Sequence, residues 1–524
     1  MGFRGRREPI NYSDADSIQL RIAELQPGIL IRRMSTFWTL PTAIEVAIFA
    51  LCLAIARVAL RVRVRSAAPA LLLMCPVPLV YLVAGANSAI FPSDCMGVLC
   101  LFWLAWSHRR SRSVLADTTA RLPVVLASLL LVALPGVSTA LGVLSTGRGD
   151  WKLIAVGIFR GCSYLGLFCA AIHFGSRGER LSKLLAVQCI AFALICCCGM
   201  LQAGTGLALT LPSPSTNAMQ GDFAASSGGG FMGLYRGAIG GWGAPILGAI
   251  PLVLFRRAYG WVITPACTLS VLIGIVLAGS RQGLLVGLIA AVLGTIMALA
   301  SAQRERARAG RAFLAVAVLV SGGLYVLGTS VNTPYARWAN DRFGSLFDVA
   351  SMGDQVKDRD DRMGYAIERW LGNSVAVQVL GAGRGRISDG YTADEGEVGY
   401  VDSELVWQLQ ENGLVAILAY VLFLGVLAQR FGFPNRIPPE TQAAVRVAGI
   451  GLLSGICLIY GHFFLLHVQY SQVPVACWNW ALFGAALGAM IRVKHVRPLA
   501  LSVFRSTPTA LTSDPTWKVQ LAQH

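Results

Sequence analysis

The sequence predicts an all-α polytopic membrane protein of about 12 to 13 transmembrane helices carrying one large loop domain on the outer side. Three observations predict it. Of 524 residues, 55% are hydrophobic and only 14% charged, with a mean hydropathy of +0.60, whereas a soluble domain carries about a quarter charged residues. The apolar residues fall into about a dozen runs of roughly 17 to 25, the length that crosses about 30 Å of hydrocarbon as a helix. The links between runs alternate between Arg-rich and Arg-poor, as the positive-inside rule requires.

Residues 1–35 form a polar, mixed-charge tail, and the run after it is too long for a removable signal peptide. The spans of residues 36–330 are Trp38–Leu60, Pro69–Gly85, Ala89–Trp106, Leu122–Leu144, Leu153–Phe174, Leu184–Leu207, Trp242–Phe255, Trp261–Ala278, Leu284–Leu299 and Phe313–Leu327. A polar insert occupies 331–404. Residues 405–492 hold Val406–Leu427, Val445–Leu466 and Val475–Ile491, and 493–524 form a cytoplasmic tail. Arg32/Arg33 and Arg57/Arg61/Arg63/Arg65 bracket the first span, and both groups ask to be inside. Either that segment is partly interfacial or one of the next two does not cross fully, which leaves twelve or thirteen spans.

The Arg-rich links, among them Arg109/Arg110/Arg112, Arg256/Arg257, Arg304/Arg306/Arg308/Arg311 and Arg492/Lys494/Arg497, are assigned to the cytoplasm. The net charge of +17 therefore reads as orientation and contact with lipid headgroups. Nucleic-acid binding is set aside, because no basic face is interleaved with aromatics. The 13 cysteines lie within or beside apolar runs and read as small packing residues, with no disulfide framework and no metal site expected.

The outer insert runs against the rest of the chain. It holds 13 of the 27 acids and 8 bases, a net charge of −5. Loops this long are functional or disordered, and the apolar spacing of Met363, Ala366 and Trp370 predicts a short amphipathic helix over Arg362–Leu371.

Candidate site residues follow from cations and carboxylates on the outer side. Arg281, in Gly279-Ser280-Arg281-Gln282-Gly283, and Arg236, in Leu234-Tyr235-Arg236-Gly237, each open a span. A guanidinium there is either a bidentate fork for phosphate oxygens or a snorkelling anchor. Arg160 lies inside a span, where an unpaired Arg costs about 2.5 to 3.5 kcal/mol by insertion scales. Asp402 and Glu404 close the insert, as a candidate general base or as acids favoured at a helix N-terminus. Leu380-Gly381-Ala382-Gly383-Arg384-Gly385-Arg386 lacks the flanks of a nucleotide loop and reads as a turn that brings backbone amides, Arg384 and Arg386 to a ligand. No histidine lies in the insert; His462 and His467 fall near the outer end of a late span.

The order of these pieces, over about Gly233 to Gly425, resembles the O-antigen ligase and polymerase superfamily of bacterial polysaccharide assembly. The order is an outer Arg-Gly loop, Gly-Ser-Arg-Gln-Gly opening a span, and an outer insert with Arg362–Trp370 and Leu380–Gly383. Asp402–Leu405, Leu409 and Glu411-Asn412-Gly413 then follow. The resemblance implies a GT-C-like fold in the bacterial inner membrane. It also implies an inverting glycosyltransferase, independent of metal and cofactor, working at the periplasmic face on an undecaprenyl-pyrophosphate-linked oligosaccharide. Other polysaccharide-assembly proteins would be partners. Arg281 and Arg236 would hold the pyrophosphate, Asp402 or Glu404 would serve as base, and Arg160, Arg362, Arg384, Arg386 and His467 would line the substrate path. Ligases of the family carry His-Asn where this chain has Asp402-Ser403, and that departure favours a polymerase of O-antigen or exopolysaccharide repeats over a ligase. A lipid-linked oligosaccharide transporter would need repeated halves with charges near the midplane, and the sequence shows no internal repeat.

Overall fold

The computed structural model describes residues 40–75, 80–81, 89–107, 114–146, 151–177, 180–205, 235–255, 257, 259–278, 281–300, 364, 366–383, 404–432, 439–457 and 475–505. Nearly all of these are helical. In chain order they form α1 (Leu40–Val58), α2 (Val64–Leu72), a ribbon of β1 (Val80–Tyr81) and β2 (Ala89–Ile90), and α3 (Pro92–Trp106). Next come α4 (Arg121–Ser128), a π-helical turn at Leu129–Ala133, α5 (Leu134–Thr146), α6 (Trp151–Ser176) and α7 (Leu181–Thr205). The remainder are α8 (Tyr235–Leu254), α9 (Gly260–Leu277), α10 (Arg281–Ala300), α11 (Val375–Leu380), α12 (Glu404–Gly432), α13 (Pro439–Cys457) and α14 (Val475–Arg505).

Seven helical stretches among the described residues are long and apolar enough to cross a membrane, and α3 and Gly241–Leu254 of α8 are shorter apolar helices. The chain is a polytopic α-helical membrane protein. Its outer surface fits a hydrocarbon solvent: Leu285, Leu288, Ile289, Val292 and Ile296 leave one face of α10 exposed at helical spacing. Leu414, Leu418, Val421 and Leu422 do the same on α12.

One expected span is corrected. The run Pro69–Gly85 is not one helix: α2 ends at Leu72, and Val80 and Tyr81 pair antiparallel with Ile90 and Ala89. Pro76 and Pro78 supply the reason, since proline lacks the amide a helix needs and clashes with the preceding turn. Hydropathy registers the apolar content of such a run and not its hydrogen bonding. Phe313–Leu327 lies outside the described residues.

Small residues set the packing. Gly97 of α3 touches the backbone of Ser163, Gly166 of α6 touches Gly97, and Trp103 stacks on Phe174, so α3 and α6 run parallel in close contact. Gly484 and Gly488 of α14 meet the backbones of Phe168 and Ile172, which makes α14 the third parallel member. Glycines allow this approach because helix association in lipid is driven by close van der Waals packing. Phe168, Phe423 and Trp480 fill the adjoining core, with ring centroids 5.2 to 6.2 Å apart. A second parallel pair, α8 and α10, meets through Gly248 and Gly294 and through Leu247 against Gly287, with Ile450 of α13 packed on Gly248. Between the two groups, α7 contributes Gln188, whose amide donates to the Ala70 carbonyl (2.6 Å) and accepts from Trp478 Nε1 (3.1 Å). The twelve described cysteines form no disulfide with one another, and six of them, Cys52, Cys169, Cys189, Cys196, Cys267 and Cys477, are buried in the bundle.

Candidate functional site

The α8–α10 contact brings two of the expected cations to one place. Gly287 lies against Ala244, and Gly248 lies between Ala290 and Gly294, so α10 residues sit beside α8 residues numbered about 43 lower. Extended outward, this register sets Arg236, the second residue of α8, within about one turn of the height of Arg281, the first residue of α10. Both stand at the helix ends that the charge pattern assigns to the outside.

Arg160 stands deeper. Pro245 of α8 packs on Gly451 of α13, which also meets Asn479 and Leu482 of α14, and Gly484 two residues on meets Phe168. With a rise of about 1.5 Å per residue, this chain of contacts puts Arg160 roughly 4 to 7 Å inward of Arg281 and Arg236 along the bundle axis. Its side chain is half-buried on α6 and interacts electrostatically with Asp94 of α3, which is fully buried. The backbone amide of Phe91 donates to Asp94 Oδ2 (3.1 Å), so the carboxylate also caps α3. Ser93, Ser163 and Cys477, all buried, complete a polar junction of α3, α6 and α14.

A second polar cluster lies where the insert re-joins the bundle. Residues 366–371 are helical, within the expected Arg362–Leu371 helix, and Ala366 is buried. The Gln410 side chain donates to the Ala366 carbonyl (2.9 Å), and Trp370 Nε1 donates to the Gln378 carbonyl (3.2 Å). After α11, the strap Gly381-Ala382-Gly383 wedges between α5 and α12: Gly142 meets Ala382, and Gly383 meets Ser138. Helix α12 breaks opposite it at Gly413, whose φ of 74° and ψ of −175° suit glycine. Gln410, Glu411 and Asn412 are buried here, and Ser138 Oγ donates to Asn412 Oδ1 (3.0 Å).

This arrangement corrects one expectation. The amides of Gly381, Ala382 and Gly383 donate to the carbonyls of Val377 (2.7 Å), Gln410 (2.8 Å) and Glu411 (2.9 Å). The first closes the end of α11, the other two clamp the broken helix α12, and none of the three faces a ligand. Burial explains the choice, since unpaired amides inside the bundle would be costly.

Glu404 is the first residue of α12. Asp402, Arg362, Arg384, Arg386 and His467 lie outside the described residues, as do the side chains of Arg236, Arg281 and Glu404. Sequence reasoning missed Asp94. Its signal was present: it is the lone acid in the run Ala89–Trp106, two residues after a proline suited to a helix start.

Fold and site together define a polytopic α-helical membrane protein with Arg236 and Arg281 in the first turns of two parallel helices and Arg160 deeper in the bundle. Comparison with family models, with curated proteins and with solved structures finds no significant match.

Proposed function

We propose that this protein is a membrane glycosyltransferase that polymerises polysaccharide repeat units at the periplasmic face of the bacterial inner membrane. The donor would be a glycan linked to undecaprenyl pyrophosphate. The single observation that supports the reading is the register of α8 and α10, two parallel helices whose first turns, with Arg236 and Arg281, begin within about one turn of the same height. Two forks at that position suit the two phosphates of a lipid pyrophosphate, and preplaced cations stabilise the charge that develops on this leaving group without a metal or nucleotide. The resemblance in motif order supports the substrate class and the GT-C-like fold, and the apolar runs of the sequence support about 12 to 13 spans.

In this reaction a hydroxyl at the nonreducing end of one lipid-linked repeat attacks the anomeric carbon of the growing chain. The bond from that carbon to the pyrophosphate breaks, and undecaprenyl pyrophosphate leaves. Asp402 or Glu404 takes the hydroxyl proton. Arg362, Arg384, Arg386 and His467 would line the path of sugar or phosphate.

The test uses the purified full chain with synthetic undecaprenyl-pyrophosphate oligosaccharide, without metal or nucleotide, and resolves lipid-linked products by length. The expected result is a ladder of repeats, lost in Arg281→Ala and sharply reduced in the double variant Asp402→Asn/Glu404→Gln. Transfer to a second lipid or protein acceptor without a ladder would replace polymerase by ligase. Inactivity in both formats would refute glycosyl transfer.

A further inference from the structure

The depth at which helices begin singles out one level in the bundle. Gly97 lies beside Ser163 and Gly166, so Pro92, five residues earlier, is level with about residue 160 of α6. Gly484 lies beside Phe168 and Gly488 beside Ile172, so Val475, where α14 begins, is level with about residue 159. Two of the three parallel helices therefore start at the height of Arg160, while α6 continues outward for nine more residues to Trp151, about 13 Å at 1.5 Å per residue.

That level carries opposite charges of unequal burial. Asp94 is 0% exposed, whereas Arg160 is only half-buried. A carboxylate fully enclosed among helices would cost several kcal/mol without a cation, at about the scale of intramembrane acids. Among the described residues Arg160 is the cation whose charge acts on it, and each of the two stands about one turn outward of the Gly97–Ser163 contact on its own helix. The reverse dependence matters more for chemistry. The guanidinium sits on a long flexible stem, and a fixed carboxylate restricts where its planar fork can lie. Asp94 is itself fixed, because its other role is to accept the Phe91 amide at the start of α3.

We propose that Asp94 is a positioning residue, holding the Arg160 guanidinium at the level where α3 and α14 begin so that it engages phosphate oxygens of the polyprenyl-pyrophosphate donor. The inference rests on the function proposed above and adds a third cation, roughly 4 to 7 Å inward of Arg281 and Arg236, whose orientation is set by a residue that does not itself touch substrate. The polyprenyl chain enters from the bilayer, so a cation below the outer pair meets the phosphate nearer the lipid.

The test measures affinity of the full-length protein in detergent for undecaprenyl pyrophosphate, by the ligand-dependent rise in unfolding temperature, beside the unfolding temperature without ligand. Asp94→Asn keeps an oxygen to cap Phe91 but removes the charge. It is expected to weaken binding roughly 5- to 30-fold, as is Arg160→Gln, the scale expected within one charge network. The double variant Asp94→Asn/Arg160→Gln is expected to bind no more weakly than Arg160→Gln alone, because Asp94 acts only through Arg160. A merely structural role would lower the unliganded unfolding temperature and leave affinity unchanged.

Wild-type affinity in Asp94→Asn, or losses that multiply in the double variant, would overturn the positioning role while leaving the proposed function standing. Failure of the wild type to bind undecaprenyl pyrophosphate would overturn both. Should Asp94→Asn not fold, the exchanged pair Asp94→Arg/Arg160→Asp keeps opposite charges together. It is expected to fold without binding, and binding at wild-type strength would refute the proposal.

Discussion

Replacing Gly488 by alanine tests the packing on which the site's geometry depends. A Cβ there would run into the Ile172 carbonyl oxygen and lie 2.8 Å from the Ile172 carbonyl carbon and 2.9 Å from the Ser176 amide nitrogen. These are backbone atoms of a helix, so no side chain can swing aside. Ordinary contact for such atoms begins near 3.4 Å, and the carbon alone requires about 0.6 Å of separation between α14 and α6. A gap of about 0.5 to 1 Å forfeits a quarter to a half of the dispersion well wherever it opens, and overpacking of this kind costs about 1 to 3 kcal/mol. Gly425→Ala is the control. Nothing lies within 4 Å of the Cβ it would add, so the change mainly gains helix propensity, up to about 1 kcal/mol. The assay is thermal unfolding in detergent reported by a thiol-reactive dye, with the buried Cys52, Cys169, Cys189, Cys196 and Cys477 as reporters. Gly488→Ala should unfold several degrees below wild type and Gly425→Ala at or above it. Equal unfolding temperatures for the two variants would refute the argument that backbone contact at Gly488 fixes the α6–α14 distance.

Gly413→Ala is expected to release the strap from α12. Its backbone conformation costs a non-glycine residue about 1 to 3 kcal/mol, and its Cβ would lie 2.5 Å from the Gly381 amide nitrogen. Faster tryptic cleavage at Arg369 than in the wild type is the readout, and unchanged cleavage would contradict it. Gln188→Leu removes the acceptor of Trp478 Nε1 and the donor to the Ala70 carbonyl, and should destabilise by about 1 to 3 kcal/mol for each buried group left unpaired. The check is the same thiol-reported unfolding, with Leu194→Met as a buried-face substitution that preserves these bonds.

The helices were legible where hydrophobic length alone decides. Leu153–Phe174 became Trp151–Ser176, and Leu284–Leu299 became Arg281–Ala300, with ends moved by only a few residues. Length misled at Pro69–Gly85, where prolines remove hydrogen bonds that hydropathy does not register. Arg236 and Arg281 were recognisable as outer cations, but their adjacency was not. It depends on which helix Gly243, Gly248, Gly287 and Gly294 face, and small-residue spacing marks a contact face without naming the partner. Asp94 shows the same limit: its rarity as an acid in an apolar run was visible, while its electrostatic interaction with Arg160 required two helices 45 residues apart to be set in register. The strap was read as a loop open to ligand because Gly-Ala-Gly allows close approach of backbone to any partner, and here the partner is α12.

Packing and chemistry are not separable in this bundle. A slip of α14 or α3 along α6 by one turn, about 5.4 Å, would bury Arg160 beneath the helix starts or leave it well above them. What prevents such a slip is the discrete set of places where backbones can touch. Gly484 and Gly488 fit against Phe168 and Ile172, Gly175 fits against Ala485, and Gly97 fits against Ser163, and a Cβ at any of these glycines would run into the facing backbone. The glycines thus fix the register, and the register fixes the height of the helix N-termini relative to the charged pair. Asp94 links the two effects in a single residue: its carboxylate closes the first turn of α3 and interacts electrostatically with Arg160 on α6, so displacing α3 along α6 would change the field at Arg160. A loss of affinity for lipid pyrophosphate on widening the Gly488 contact, with every arginine intact, is the consequence this coupling demands.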